Sequence, residues 1–131
     1  MSKSIIEYPY QYDIHGNSYP LVPFSVYSKN EKLDYMALID SGATISIFKI
    51  EIAEKLGINV TEGEKLLMRG ISSWIQGYIH KLDVEVNDKK FTMKVVFSYD
   101  DRASFNILGR SSFFEKFKIT FDEAKKRVIL S

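Results

Sequence analysis

The run Tyr35-Met36-Ala37-Leu38-Ile39 is apolar at every position and stops on a single acid, Asp40, followed at once by Ser41-Gly42. A strand with no polar alternation has to be covered on both faces, so it belongs inside a closed or layered sheet. Ser41 and Gly42 turn the backbone directly after the acid. With Ile39 before it and Ala43 directly after its turn, Asp40 is expected at the floor of a buried cleft. Asp is rarely buried there unless it is paired or put to use.

The remaining pattern is strand-rich. Pro20 to Ser28 reads as a strand, placed at an edge because Pro20 and Pro23 lack ladder donors. Lys29 to Lys32 is a polar turn, and Leu33 to Ile39 returns to the acid. Lys49 to Leu56 reads as a short helix with Ile52, Ala53 and Leu56 on one face and Gly57 as its stop. Glu64 to Val86 reads as a long hairpin with a small-residue tip, Gly70-Ile71-Ser72-Ser73. On its own, that hairpin is an ordinary one with Trp74 as a core anchor. Leu82 to Val86 and Phe91 to Phe97 alternate strictly around a turn at Asn87 to Lys90. Phe105 to Leu108 is a short strand, with Ser111 or Ser112 capping a helix from Phe113 to Phe117. Ile119 to Phe121 and Arg127 to Leu130 close the chain as a hairpin. The sum is an all-β chain with two short helices. It divides into an aromatic, turn-rich N-terminal arm, residues 1–19, and a single domain, residues 20–131.

Composition narrows the function classes. A net charge of +1 over 131 residues argues for neither nucleic acid nor a membrane surface as partner. With no cysteine there is no disulfide, thiolate metal site or cysteine nucleophile. His15 and His80 show no metal-ligand spacing, so no metal or other cofactor is expected. Ser41 is not a nucleophile elbow, because Ile39 stands where Gly-x-Ser-x-Gly needs its first glycine. The amino terminus lacks the apolar stretch of a signal peptide and no run reaches membrane-spanning length, so the cytoplasm is the expected location.

Asp40-Ser41-Gly42-Ala43 behind Ala37-Leu38-Ile39 resembles the Asp-Thr/Ser-Gly-Ala signature of the aspartic proteases. The single copy in a short chain is similar to the retroviral-type, retropepsin-like branch. Phe105-Asn106-Ile107-Leu108-Gly109-Arg110 is similar to that family's second motif, apolar-apolar-Gly-Arg, in the right order and spacing. The resemblance covers Pro20 to Leu130. It implies a small closed β-barrel carrying half a catalytic site, completed by a second copy in a homodimer. The activity implied is aspartic endopeptidase, with Asp40, Ser41 and Gly42 catalytic. Ala43, Ile45, Phe105 and Ile107 would line substrate pockets, and Gly70, Ile71 and Ser72 would form the tip of a flap over a bound peptide. By the same resemblance, Gly109 lies beneath the catalytic loop and Arg110 ties the following helix down. Thr44 departs from the pattern, since retroviral members carry an acid there that pairs with the arginine. The rival reading is a binding or dimerisation module that keeps this fold with little or no protease activity.

Overall fold

A computed structural model describes residues 4–29, 31–69, 72–100 and 104–131. Among these residues twelve strands run in chain order: β1 (Ile6–Pro9), β2 (Gln11–Tyr12), β3 (Ser18–Tyr19), β4 (Leu21–Tyr27), β5 (Lys32–Ile39) and β6 (Ser46–Ile47), then, after helix α1 (Ile50–Leu56), β7 (Glu64–Arg69), β8 (Trp74–Val86), β9 (Lys89–Phe97), β10 (Asn106–Leu108), β11 (Ile119–Asp122) and β12 (Arg127–Leu130). Six of them, in the order β4-β5-β10-β6-β9-β8, close on themselves through a β4–β8 pairing, and β7 extends β8 outward. This is a closed barrel of the expected kind. Two smaller sheets, β1-β12-β11 and β2-β3, lie outside it.

Alternation decides which side chains fill the barrel. Val22, Phe24 and Val26 of β4, Leu82, Val84 and Val86 of β8, and Met93 and Val95 of β9 are buried, while Lys81, Asp83 and Lys94 between them are exposed. Phe24 packs on Phe48 with ring centroids 4.9 Å apart. The turn between β8 and β9 is made by Asn87 and Asp88, both with positive φ (55° and 65°), the pair of left-handed residues that a tight hairpin of native twist requires. Gly57 ends α1 at φ 68°, its N–H bonded to Glu54.

Three details differ from the pattern reading. β4 is an edge only over its first half, because Ser25 to Tyr27 pair with β8. Pro23 lies in the half with one neighbour, where no second ladder asks for its missing N–H. Phe113 to Phe117 is not an α-helix but one 3-10 turn at Phe114–Lys116. Phe113 is fully buried and packs on both Phe114 and Phe117, so ring packing rather than helical spacing sets the segment. Trp74 is 62% exposed rather than a core anchor. Leu66 and Met68 pair with Gly77 and Ile75, which puts Leu67, Arg69 and Trp74 together on the opposite face of the β7–β8 hairpin. There the Arg69 guanidinium lies 5.8 Å from the indole centroid.

Candidate active site

β10 sits between β5, to which it is parallel, and β6, to which it is antiparallel. This placement brings the two sequence motifs together. Leu108 pairs with Ile39, so the acid leaves β5 beside the end of β10. The Asp40 N–H donates to the Leu108 carbonyl at 3.0 Å. Its side-chain Oδ1 accepts the Gly42 N–H at 2.9 Å, and its own carbonyl accepts the Ala43 N–H at 3.1 Å. The turn therefore fixes the carboxylate from within the loop.

The second motif supports this loop from below. Arg110 N–H donates to the Ala43 carbonyl at 2.9 Å and Ser111 N–H to the Thr44 carbonyl at 2.8 Å. Gly109 passes so close that an added Cβ would lie 2.3 Å from the Ile45 carbonyl oxygen and 2.8 Å from that of Ala43. Only glycine allows such an approach. The Gly109 N–H donates to the buried Ser46 hydroxyl at 3.0 Å. Asn106, also buried, accepts the Lys49 N–H at 2.8 Å and donates to the Met36 carbonyl at 3.1 Å. Ser46 and Asn106 were missed by sequence reasoning, although each left a signal: a lone polar residue inside an apolar strand, which needs a partner once buried.

Asp40 is only half-buried in the single chain, and Ser41 and Gly42 are exposed. The expected buried floor is therefore partly open among the described residues. Ala43 and Ile45 continue the loop and are half-buried, as are Phe105 and Ile107 on and beside β10. Ile107 lies between Leu38 and Ile47, and the Phe105 ring meets the Tyr19 ring at 5.0 Å. Gly70 and Ile71 lie outside the described residues. Ser72 is exposed beside them, and among the described residues no hydrogen bond joins it to the Asp40 loop.

Arg110 is exposed and directs Nη2 to the Thr44 Oγ1 at 3.4 Å. None of the ion pairs among the described residues includes it. The arginine still points at the position following Ala43, with a hydroxyl there instead of a carboxylate. Among the described residues no group of three His, Cys, Asp or Glu could hold a metal, and no helix is long and apolar enough to cross a membrane.

Residues 22–112 match the sequence profile of a family described as aspartyl protease. No curated protein matches the chain. A solved structure, that of a retropepsin-like aspartic protease from Rickettsia conorii, is similar with a TM-score of 0.65 and 25% identity, over 95% of this chain and 98% of that one.

Proposed function

We propose that this chain, which belongs to the aspartyl protease family and has its retropepsin-like fold, hydrolyses peptide bonds with two carboxylates, one Asp40 from each of two copies. The observation that carries this reading is the open loop. One Asp-Ser-Gly turn, rigid from within and supported from below, leaves a half-buried acid and its exposed neighbours at the surface. A second copy related by a two-fold axis would cover that surface with the same loop and complete the dyad.

Two carboxylates held together cannot both ionise, so the pair holds one proton and titrates as a unit. The ionised one takes a proton from water as the oxygen attacks the peptide carbonyl carbon. The protonated one gives its proton to the carbonyl oxygen, and a tetrahedral diol results. When the carbon–nitrogen bond breaks, a proton passes to the leaving amine and the dyad returns to its starting state. In this reading Ser41 bonds across the two-fold axis and stiffens the paired loops. The Gly42 carbonyl aligns an extended peptide. Ala43, Ile45, Phe105 and Ile107 line its side-chain pockets, and Gly70, Ile71 and Ser72 cover it.

The test compares wild type with Asp40→Asn on an unfolded protein across pH, with the oligomeric state of each recorded. Asparagine keeps Oδ1 as the acceptor for Gly42, so the loop is expected to survive. Acid-favoured cleavage by a wild-type dimer, reduced about a thousand-fold or more in the variant, is the expected result. A folded dimer that cleaves nothing would move the assignment to a binding module. Cleavage by a strict monomer would overturn the shared dyad.

A further inference from the structure

The β8–β9 hairpin alternates, so Lys81, Asp83 and Glu85 share its outward face with Lys94, Thr92 and Lys90, while Leu82, Val84, Met93 and Val95 are buried. Along that face Glu85 lies opposite Lys90, and Asp83 accepts a hydrogen bond from the Thr92 hydroxyl at 2.6 Å. Lys81, by contrast, lies directly opposite Lys94, like charge against like. Such a pair opposes folding. Neither lysine enters any of the ion pairs among the described residues.

Beside this pair the sheet is incomplete. β6 meets β9 only at Val95 and Val96, so among the described residues the β9 edge from Thr92 to Lys94 has no strand on that side. The Phe48 N–H donates to the Val96 carbonyl across the same edge. By the period of two, Lys94 and Thr92 turn their own N–H groups to that side. The turn after Gly109 stands across the gap. The Ser111 N–H donates to the Thr44 carbonyl, and Ser112, at φ 73°, donates its N–H to Glu115 Oε1 at 2.7 Å. Between turn and strand edge lies a cavity of about 350 Å³, lined by Lys81, Thr92, Met93, Lys94, Ser111 and Ser112. The lining brings two ammonium groups and three hydroxyls together. The acids beside it, Asp83 and Glu115, are taken up by Thr92 and by the Ser112 N–H.

We propose that this cavity binds a phosphate group, free or carried on a small molecule. Lys81 and Lys94 supply the charge, and the Ser111 and Ser112 hydroxyls and the strand-edge N–H groups supply donors. A phosphate monoester carries close to two negative charges at neutral pH, which matches the two lysines. Lysine meets phosphate as a point charge, whereas the planar carboxylate is matched by the arginine fork. A sheet edge adds oriented backbone dipoles of the right sign. The volume leaves room beyond the phosphate for an organic part. The site stands apart from Asp40 and does not depend on its role. Its wall, however, is the turn whose N–H groups hold the Ala43 and Thr44 carbonyls.

The experiment titrates the full chain with inorganic phosphate and, separately, with ribose 5-phosphate. Chloride holds the ionic strength constant at neutral pH, and backbone amide resonances are followed. Saturable shifts centred on Thr92 to Lys94 and on Ser111 and Ser112 are expected. Lys81→Gln and Lys94→Gln are each expected to weaken binding about ten-fold. Both variants are expected to fold and, in dilute phosphate-free buffer, to melt higher than wild type, since each removes one member of the like-charge pair. Tighter binding of ribose 5-phosphate identifies a phosphorylated small molecule as the ligand, and binding no tighter than that of inorganic phosphate identifies the phosphate group alone. Shifts that never saturate, shifts spread evenly over the surface lysines, or an affinity that is the same in wild type and both variants would overturn the proposal.

Discussion

The buried Ser46 hydroxyl accepts the Gly109 N–H at 3.0 Å and so joins the two halves of the site from within. Ser46→Ala leaves that N–H inside the protein without an acceptor. The expected cost is about 1–3 kcal/mol, read as a lower midpoint in urea unfolding with an unchanged slope.

Gly109→Ala tests the same approach by filling it. The new methyl would meet the backbone carbonyls of Ile45 and Ala43, which cannot swing away as a side-chain tip can. A loss of about 3 kcal/mol is expected, together with displacement of the loop after Asp40. Activity should fall even at temperatures where the variant remains folded, because the shifted segment carries the acid's own turn.

Thr44→Asp would give the Arg110 guanidinium a carboxylate where it now reaches a hydroxyl at 3.4 Å. Both residues are exposed, so the gain is expected to be small, ~0.5 kcal/mol, and to vanish in high salt. Melting temperatures in dilute buffer and in 1 M salt separate this ion pair from any effect of helix or strand propensity.

The Asp13 carboxyl gives a pH dependence of known sign. Desolvation acts to raise its pKa, but bonds donated by Asn17, His15 and Tyr19 outweigh it and hold the group below its usual value. A depressed carboxyl contributes stability above its unfolded pKa, about 3.9, and loses that contribution as pH falls through the lower folded value. Wild type should therefore lose stability relative to Asp13→Asn only below about pH 4. Thermal melts of the two proteins from pH 6 to pH 2 check this, and NMR titration of Asp13 should show its midpoint below that of a free aspartate.

Much of the site was legible because its signals are local. The apolar run into Asp40, the turn after it and the Gly109-Arg110 pair are each contained in a few residues. So are the alternation of β8 and β9 and the glycine that ends α1. What escaped depends on contacts distant in sequence. Nothing near Tyr19 says that its ring will meet Phe105, and nothing near Ile6 says that β1 will pair with β12. The Phe113 to Phe117 segment has helical spacing, but Ser112 enters it at φ 73° and Phe113 turns fully into the core, which leaves room for one tight turn. The exposure of Trp74 was not legible for a different reason: alternation defines two faces of a hairpin without saying which of them turns inward.

The barrel's closure has a kinetic side. The β4–β8 seam is three residue pairs long, and the Tyr27 hydroxyl that bonds Glu85 across it comes from 58 positions away in the chain. Closing a loop of that length costs ~3–4 kcal/mol in chain entropy before the seam returns anything, so both hairpins must form first. During that interval β4 presents an open edge. The Pro20–Ile39 bond sets the alternation, and by it the Pro23 nitrogen faces away from β5, toward that edge. A row of donors interrupted there is a poor template for a foreign strand. Pro23→Thr is expected to increase light scattering during refolding while leaving the finished barrel nearly as stable. The proline's contribution thus begins before the native state exists and outlasts it, because the half of β4 that carries Pro23 keeps a single neighbour in the finished barrel.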